Sequence, residues 1–169
     1  MVVPADELVD VVDEDNEPVG VVPRSELRAR NLWHRCTYVM VVNPSRELYV
    51  HRRTETKDVY PGYFDVCAGG VNGPGESYED CARRELEEEL GVAADPTFRF
   101  LHRYEGPSGR VWGAAFDVVW EGPITWQPSE VVWGAFVQLE ALDAMIARER
   151  FCPDGLEVFE RWRGGRLGS

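Results

Sequence analysis

The sequence predicts an α/β fold in which a mixed β-sheet lies between layers of helices. Three observations lead to this prediction. Short apolar stretches with strand periodicity alternate with helical stretches, turn-prone residues separate them, and 44% of the 169 residues are hydrophobic. That content is enough for one sizeable core, and helices on both faces would cover the sheet. No linker divides the chain, so we expect a single domain over residues 1–169.

The predicted elements follow from the spacing of these stretches and of the turns between them. An N-terminal unit, residues 1–30, holds a hairpin around the turn-prone DEDNEP and then a short helix. Its elements are Leu8–Val12, Val19–Val22 and Ser25–Arg30. The later strands are Trp33–Val42, Glu47–Arg52, Phe64–Ala68, Thr97–Tyr104, Arg110–Trp120 and Val131–Leu139; the later helices are Tyr78–Leu90, Leu139–Arg150 and one starting near Asp154. The last six residues, 164–169 (GGRLGS), predict a flexible tail.

The helix over Tyr78–Leu90 has the clearest boundaries. Ser77 suits the N-cap position, and Asp80 three residues later resembles a capping box. No Gly or Pro interrupts the following residues, and Gly91 is well placed to end the helix in a left-handed turn. These signals predict both helix ends from local sequence alone.

This helix carries an acidic face. At about 100° per residue, Glu85, Glu88 and Glu89 fall within one arc, while Glu87 points nearly the opposite way. Arg84 lies four residues before Glu88, within reach of an ion pair. Carboxylates that repel one another, with no His or Cys among them, suit Mg²⁺ or Mn²⁺. A solvated acidic face is the alternative interpretation of the helix taken alone.

The surrounding residues favour the metal site. The stretch from Gly70 to Val92 has the spacing G-x5-E-x7-R-E-U-x-E-E-x-G-U, where U is aliphatic. The pattern is filled by Gly70, Glu76, Arg84, Glu85, Leu86, Glu88, Glu89, Gly91 and Val92. It resembles a complete Nudix box, the signature of enzymes that hydrolyse a diphosphate linked to another moiety.

The resemblance implies a Nudix-type α/β/α sandwich in which the box forms a loop–helix–loop metal site. It implies that Glu85, Glu88 and Glu89 hold Mg²⁺ or Mn²⁺ with a backbone carbonyl of Gly69 or Gly70. It also implies that Glu76 fixes Arg84, that Gly91 ends the helix, and that a Glu activates the attacking water. Glu89 and Glu130, just before a late strand, are both candidates for that base.

The flanking motifs VDEDNEPVGVVPRSE, LWHRCTYVMVVN and LYVHRRTETKDVYPGYFD are similar to the Nudix subgroup related to isopentenyl diphosphate isomerase. The isomerase's own chemical groups are missing, however. Gly69-Gly70-Val71 stands where its Cys-Gly-His would be, and Trp112 and Ala114 stand at its Glu pair. His34 matches one of its two other histidines, Leu27 replaces the second, and Cys67 lies two residues too early. A hydrolase is therefore expected, with the isomerase as a minor alternative.

The densest basic group is formed by Arg52, Arg53 and Lys57, which we expect to meet substrate phosphates. Successive strand residues face opposite ways, so only one of the two arginines is expected to face the site. Trp112 is a candidate for stacking on a planar substrate group. Surface ion pairs and core packing are the structural alternatives for these residues.

The net charge of −12 argues against nucleic acid or an anionic membrane as a partner. No apolar run is long enough to cross a bilayer, and the N-terminus resembles no targeting peptide. We therefore expect a cytoplasmic enzyme acting on a small-molecule diphosphate, with a homodimer suggested only by analogy with the family. The resemblance thus predicts a metal-dependent hydrolase of a nucleoside diphosphate linked to another moiety. The alternative is a non-catalytic module that binds a ligand.

Overall fold

The computed structural model describes residues 7–167. Within them, eight strands and four helices follow one another along the chain. They are β1 (Leu8–Val12), β2 (Pro18–Pro23), α1 (Arg24–Arg30), β3 (Trp33–Val42), β4 (Leu48–Arg53), β5 (Phe64–Asp65), α2 (Tyr78–Leu90), β6 (Thr97–Gly106), β7 (Gly109–Val119), β8 (Val131–Val137), α3 (Leu139–Arg148) and α4 (Pro153–Leu167). None of these helices is long and apolar enough to cross a membrane.

Strand β3 lies at the centre of the mixed sheet. It pairs in parallel with β7 along its whole length, from Trp33 opposite Arg110 to Val42 opposite Val119. Strand β6 continues that side antiparallel to β7, and β1 pairs with β2 and with β3 on the other side. Strand β4 pairs antiparallel with the end of β3, and β5 and β8 both pair antiparallel with β4.

The two faces of β3 pack against different helices. Tyr38, Met40 and Val42 lie in one core cluster with residues of α3 and α4. Val39 and Val41 lie in a second cluster with residues of α2. This alternation is the period-two pattern of a strand buried on both faces. The predicted α/β/α sandwich is confirmed.

The strand predicted over Phe64–Ala68 is shorter in the structure and ends at Asp65. The side chain of Asp65 accepts hydrogen bonds from the amides of Val66 and Cys67, at 2.8 and 3.2 Å. These local bonds compete with strand pairing, and the chain turns toward β3. It meets β3 again at Ala68, which pairs with Val39 in an isolated bridge.

The predicted tail is wrong for residues 164–167, because α4 continues to Leu167. Phe159 and Trp162, one to two turns earlier, are buried in the core and anchor the helix. Their packing offsets the cost of two helical glycines, about 1 kcal/mol each. The predictions for residues 1–6 and 168–169 concern positions outside the described residues.

Candidate active site

Helix α2 presents its carboxylates to a cleft. The hydroxyl of Ser77 accepts a hydrogen bond from the Asp80 amide at 3.1 Å and caps the start of the helix. Gly91 ends the helix in the left-handed conformation, with its amide bonded to the carbonyl of Glu87. The apolar side of the helix is fully buried, through Leu86 and Leu90. Packing of that side fixes the rotation of the helix and leaves the carboxylates Glu85, Glu88 and Glu89 lining the cleft.

Arg84 connects the start of the box to the acidic face. Its Nε and Nη2 donate to the two carboxylate oxygens of Glu76, at 2.7 and 3.0 Å. Its Nη1 donates to Glu85 at 2.8 Å and to Glu88 at 3.2 Å. The Arg84 hydrogen bond holds the pKa of Glu76 below its usual range. Arg84 therefore joins the Gly-rich loop to two of the three carboxylates.

The loop before α2 requires glycine at position 69 and leaves little room for a side chain at position 70. Gly69 has φ +150°, and a Cβ there would overlap the carbonyl oxygen of Thr37. The next carbonyl, that of Gly70, accepts a hydrogen bond from the Thr37 amide at 2.9 Å. A Cβ at Gly70 would come within 2.5 Å of a carboxylate oxygen of Glu85. The loop thus lies directly against β3, and Glu85 lies directly against the loop.

His51 is a functional candidate that sequence reasoning missed. It is buried, and its Nε2 lies 3.1 Å from Oε1 of Glu89. Burial alone would raise the pKa of Glu89, but the bond to His51 and the nearby cations Lys57 and Arg53 outweigh it and lower that pKa. Residues two apart on a strand share a face, so His51 lies on the same side as Arg53. If Arg53 is taken as the arginine that faces the site, His51 is expected to face it as well.

The pKa values of two neighbouring carboxylates on the helix therefore differ. Burial, together with the charges of Glu89 and Glu88, raises the pKa of Glu85 to about 7, against the opposing effect of Arg84. Glu89 has a pKa below the usual value. Burial without a compensating cation destabilises a carboxylate. The acidic face thus holds more negative charge than Arg84 neutralises.

Basic residues, here called the basic wall, line the same cleft, whose volume is about 1410 Å³. It includes Arg53 and Lys57, as the sequence predicts, and also Arg24 and Arg28 of α1, which it does not. Asp58 pairs with Arg24 at 3.0 Å and lies 4.0 Å from Arg28. Lys57 forms an ion pair with Glu130. Asp58 and Glu130 thus offset part of the positive charge of these four cations.

Comparison with known proteins identifies this arrangement. The model of the NUDIX domain matches residues 32–161. The chain belongs to the Nudix family. Over 166 residues it is 42% identical to the "uncharacterized Nudix hydrolase SCO1686" of Streptomyces coelicolor, covering 95% of this chain and 92% of that protein. It is 41% identical over 157 residues to the "uncharacterized Nudix hydrolase YfcD" of Escherichia coli, covering 92% and 86%.

The crystal structure of DR0079 from Deinococcus radiodurans has the same fold, with a TM-score of 0.77 and 28% identity over 92% of this chain and 98% of that one. Family and fold together identify a hydrolase that acts on diphosphate bonds. The closer likeness to the isomerase subgroup stays a prediction, because these names support only the family.

The chemistry of the Nudix box side chains fits a divalent metal ion. Among the described residues, no three His, Cys, Asp or Glu side chains already stand together as a ligand group. The guanidinium of Arg84 lies between Glu85 and Glu88 and supplies part of the missing positive charge. The raised pKa of Glu85 indicates that this compensation is incomplete. Oxygen ligands of this kind suit Mg²⁺ or Mn²⁺.

Two predicted substrate residues lie elsewhere in this Nudix domain. Arg52 does not line the cleft, and its Nε donates to the carbonyl of Gly62 at 3.0 Å. Trp112 does not line the cleft and donates through Nε1 to the carbonyl of Glu14 at 3.1 Å. Only one arginine of this strand was expected to face the site, because successive strand residues face opposite ways, and Arg53 is the one that lines the cleft. The same alternation places Trp112 outside it. Val111, next to Trp112, is the residue that lines the cleft.

Burial shifts the pKa values of His34 and Cys67, the two residues that were compared with reactive groups of the isomerase. Burial and the charge of Arg28 lower the pKa of His34 to about 4, so its ring is neutral, and Nδ1 lies 3.1 Å from the carbonyl of Leu32. Cys67 lines the cleft, but burial raises the pKa of its thiol well above the usual value. A thiol with a raised pKa is a poor nucleophile at neutral pH.

Proposed function

We propose that this Nudix hydrolase cleaves the diphosphate bond of a nucleoside diphosphate linked to another moiety, by attack of water at phosphorus and with Mg²⁺ or Mn²⁺. The observation that supports this most strongly is that one cleft is lined both by the box carboxylates and by the cations of Arg24, Arg28, Arg53 and Lys57. A diphosphate is a polyanion that binds cationic side chains directly and carboxylates only through a metal ion. The nucleoside part of the proposal rests on the family resemblance.

The residues that would hold the metal are Glu85, Glu88 and Glu89, with the backbone carbonyl of Gly70. A divalent ion bound there supplies charge neutralisation at the phosphate oxygens and lowers the pKa of a water molecule. Arg84 keeps the helix and the loop in register through its two bonds to Glu76. Its Nη1 can also meet a phosphate oxygen when a carboxylate turns away.

We assign the role of general base to Glu89 in preference to Glu130. Glu130 lies outside the Nudix box and is ion-paired with Lys57, whereas Glu89 lies on the box helix beside the other proposed metal ligands. Glu89 lines the cleft and has a lowered pKa, so it is ionised and able to accept the proton of the attacking water. Lys57 and Arg53 then stabilise the charge that develops on the phosphates.

The two neighbouring arginines of β4 provide a matched test of the basic wall. Replacing Arg53 by Met is expected to raise KM for the diphosphate substrate by about tenfold, because a charged hydrogen bond to phosphate is lost. Replacing Arg52 by Met removes the same charge outside the cleft and should change KM less than twofold. The KM values of both variants are measured by steady-state kinetics. Equal increases in KM for Arg53→Met and Arg52→Met would contradict a role of Arg53 in binding phosphate.

The proposed activity itself is tested by measuring phosphate and nucleotide release from a broad panel of diphosphate compounds. The assays contain Mg²⁺, Mn²⁺ or EDTA. Turnover of at least one compound is expected with metal and should disappear with EDTA. Metal-independent binding without turnover across the panel would instead favour a non-catalytic ligand-binding module.

The proposal includes the cellular setting that the sequence predicts. The enzyme acts in the cytoplasm as one domain over residues 1–169, on a small molecule and without nucleic acid or membrane as a partner. The net charge of −12 supports the exclusion of polyanionic partners. A homodimer is included by analogy with the family.

A further inference from the structure

We propose that His51 is a positioning residue that holds Glu89 in one orientation for metal binding and for proton abstraction. The inference rests on the proposed function, since it concerns the same carboxylate. His51 lies outside the Nudix box motif and reaches Glu89 from β4.

The ring of His51 cannot easily move. The residue is 1% exposed. It lies between two antiparallel neighbours, with Asp65 of β5 opposite it on one side and Gly134 of β8 on the other. A side chain in a close-packed interior keeps one rotamer. His51 therefore presents its ring nitrogens at fixed positions, which a mobile surface residue could not do.

The contact with Glu89 involves one nitrogen and one oxygen. Nε2 of His51 lies 3.1 Å from Oε1 of Glu89. The other ring nitrogen, Nδ1, is buried and has no hydrogen-bond partner in the described part of the chain. A proton on Nδ1 would be a buried donor without an acceptor, which is unfavourable. Nε2 is therefore the ring nitrogen that carries a proton and donates it in a hydrogen bond to Glu89.

This bond leaves the two oxygens of Glu89 in different situations. Oε1 is held by the ring, whereas Oε2 has no hydrogen bond or ion pair to any of residues 7–167. The side chain is only 10% exposed, yet it lines the cleft. A fixed Oε1 sets the plane of the carboxylate and so directs Oε2. Glu89 therefore offers one defined oxygen to a metal ion or a water molecule.

The other two carboxylates are held differently. A single nitrogen of Arg84 contacts both Glu85 and Glu88, and the Glu88 side chain is 61% exposed. An exposed side chain held by a shared contact can rotate when an ion arrives. Of the three carboxylates, Glu89 is the one held by a residue of the sheet, His51. Groups that orient a metal ligand by hydrogen bonding commonly affect metal affinity or activity by 10–100-fold.

The test compares His51→Leu, which removes the donor, with His51→Gln, whose amide N–H can take the place of Nε2–H. His102→Leu serves as the control, because His102 is also partly buried in the sheet but lies 3.6 Å from Glu157, outside the cleft. Two quantities are measured for each protein: the Kd for Mn²⁺ from water proton relaxation, and kcat and KM on the best substrate. Thermal unfolding reports whether each variant is folded.

His51→Leu is expected to weaken Mn²⁺ binding about tenfold and to lower kcat by about 10–100-fold, with little change in KM. His51→Gln should restore both quantities to within about threefold of the wild type, and His102→Leu should leave both unchanged. If His51→Leu does not fold, His51→Asn replaces it, because the shorter amide cannot reach Glu89.

The inference is overturned if folded His51→Leu matches the wild type within twofold in Mn²⁺ affinity and kcat, or if His51→Gln is no better than His51→Leu. A wild type that binds Mn²⁺ without hydrolysing any compound would overturn the proposed function, while the Mn²⁺ affinities of the variants would still decide the role of His51. A wild type that binds no Mn²⁺ would overturn both.

Discussion

Replacing Glu88 or Glu89 by Gln is expected to reduce turnover by at least about 100-fold, which corresponds to roughly 2.7 kcal/mol of transition-state stabilisation. Glutamine keeps the size of the side chain and its place on α2 but removes the charge. At Glu88 the change weakens the hold on a metal ion, and at Glu89 it also removes the proposed base.

Glu87→Gln is the matched control, because Glu87 lies on the same helix with its side chain exposed to solvent and outside the cleft. Its kcat should stay within twofold of the wild type. The assignment fails if both Glu88→Gln and Glu89→Gln reduce kcat less than threefold while circular dichroism shows intact folds.

Gly69→Ala is expected to lower the free energy of unfolding by at least about 3 kcal/mol, and with it the activity. The added Cβ would overlap the carbonyl oxygen of Thr37, which is backbone and cannot rotate away. The positive φ of Gly69 adds strain for any other residue. Relief requires the loop to leave β3, which would also carry Gly70 away from Glu85.

Gly73→Ala, in the same loop, provides the comparison. A Cβ there meets only a carboxylate oxygen of Glu76, at the ordinary contact distance of 3.6 Å. Its free energy of unfolding, measured by urea denaturation, should change by less than about 1 kcal/mol. A loss below about 1 kcal/mol for Gly69→Ala would show that the loop is not held as described.

Local signals predicted the box helix best. Its bounds, Tyr78–Leu90, are the same in sequence and structure, because a capping serine and a terminal glycine act on neighbouring amides and carbonyls. Strand β5 was less predictable, since its early end depends on the carboxylate of Asp65 turning back to its own chain. The end of α4 depended on burial of Trp162, which periodicity alone does not reveal.

The candidate site was predictable only where one helix carries it. Glu85, Glu88 and Glu89 share a face through helix geometry alone. His51, by contrast, contacts Glu89 from a distant part of the sequence, on a different strand. Local sequence patterns do not indicate such a pair. Arg28 lines the cleft only because α1 packs against β1 and β2. The strand that contains Trp112 was predicted correctly, but the sequence does not show which face of that strand borders the cleft.

The attachment of the Gly-rich loop to β3 has a consequence for how this enzyme can diverge. Val39 and Ala68 exchange two hydrogen bonds, of 2.7 and 3.0 Å, and further along the Asn72 amide bonds the carbonyl of Arg35 at 3.0 Å. The loop is therefore held by backbone hydrogen bonds to the central strand β3 and not to an edge strand. Segments at the rims, such as α1 and the stretch after β4, form the walls of the cleft. Insertions there can alter which molecule is accepted while the reacting centre stays in place, so substrate range and chemistry can evolve separately.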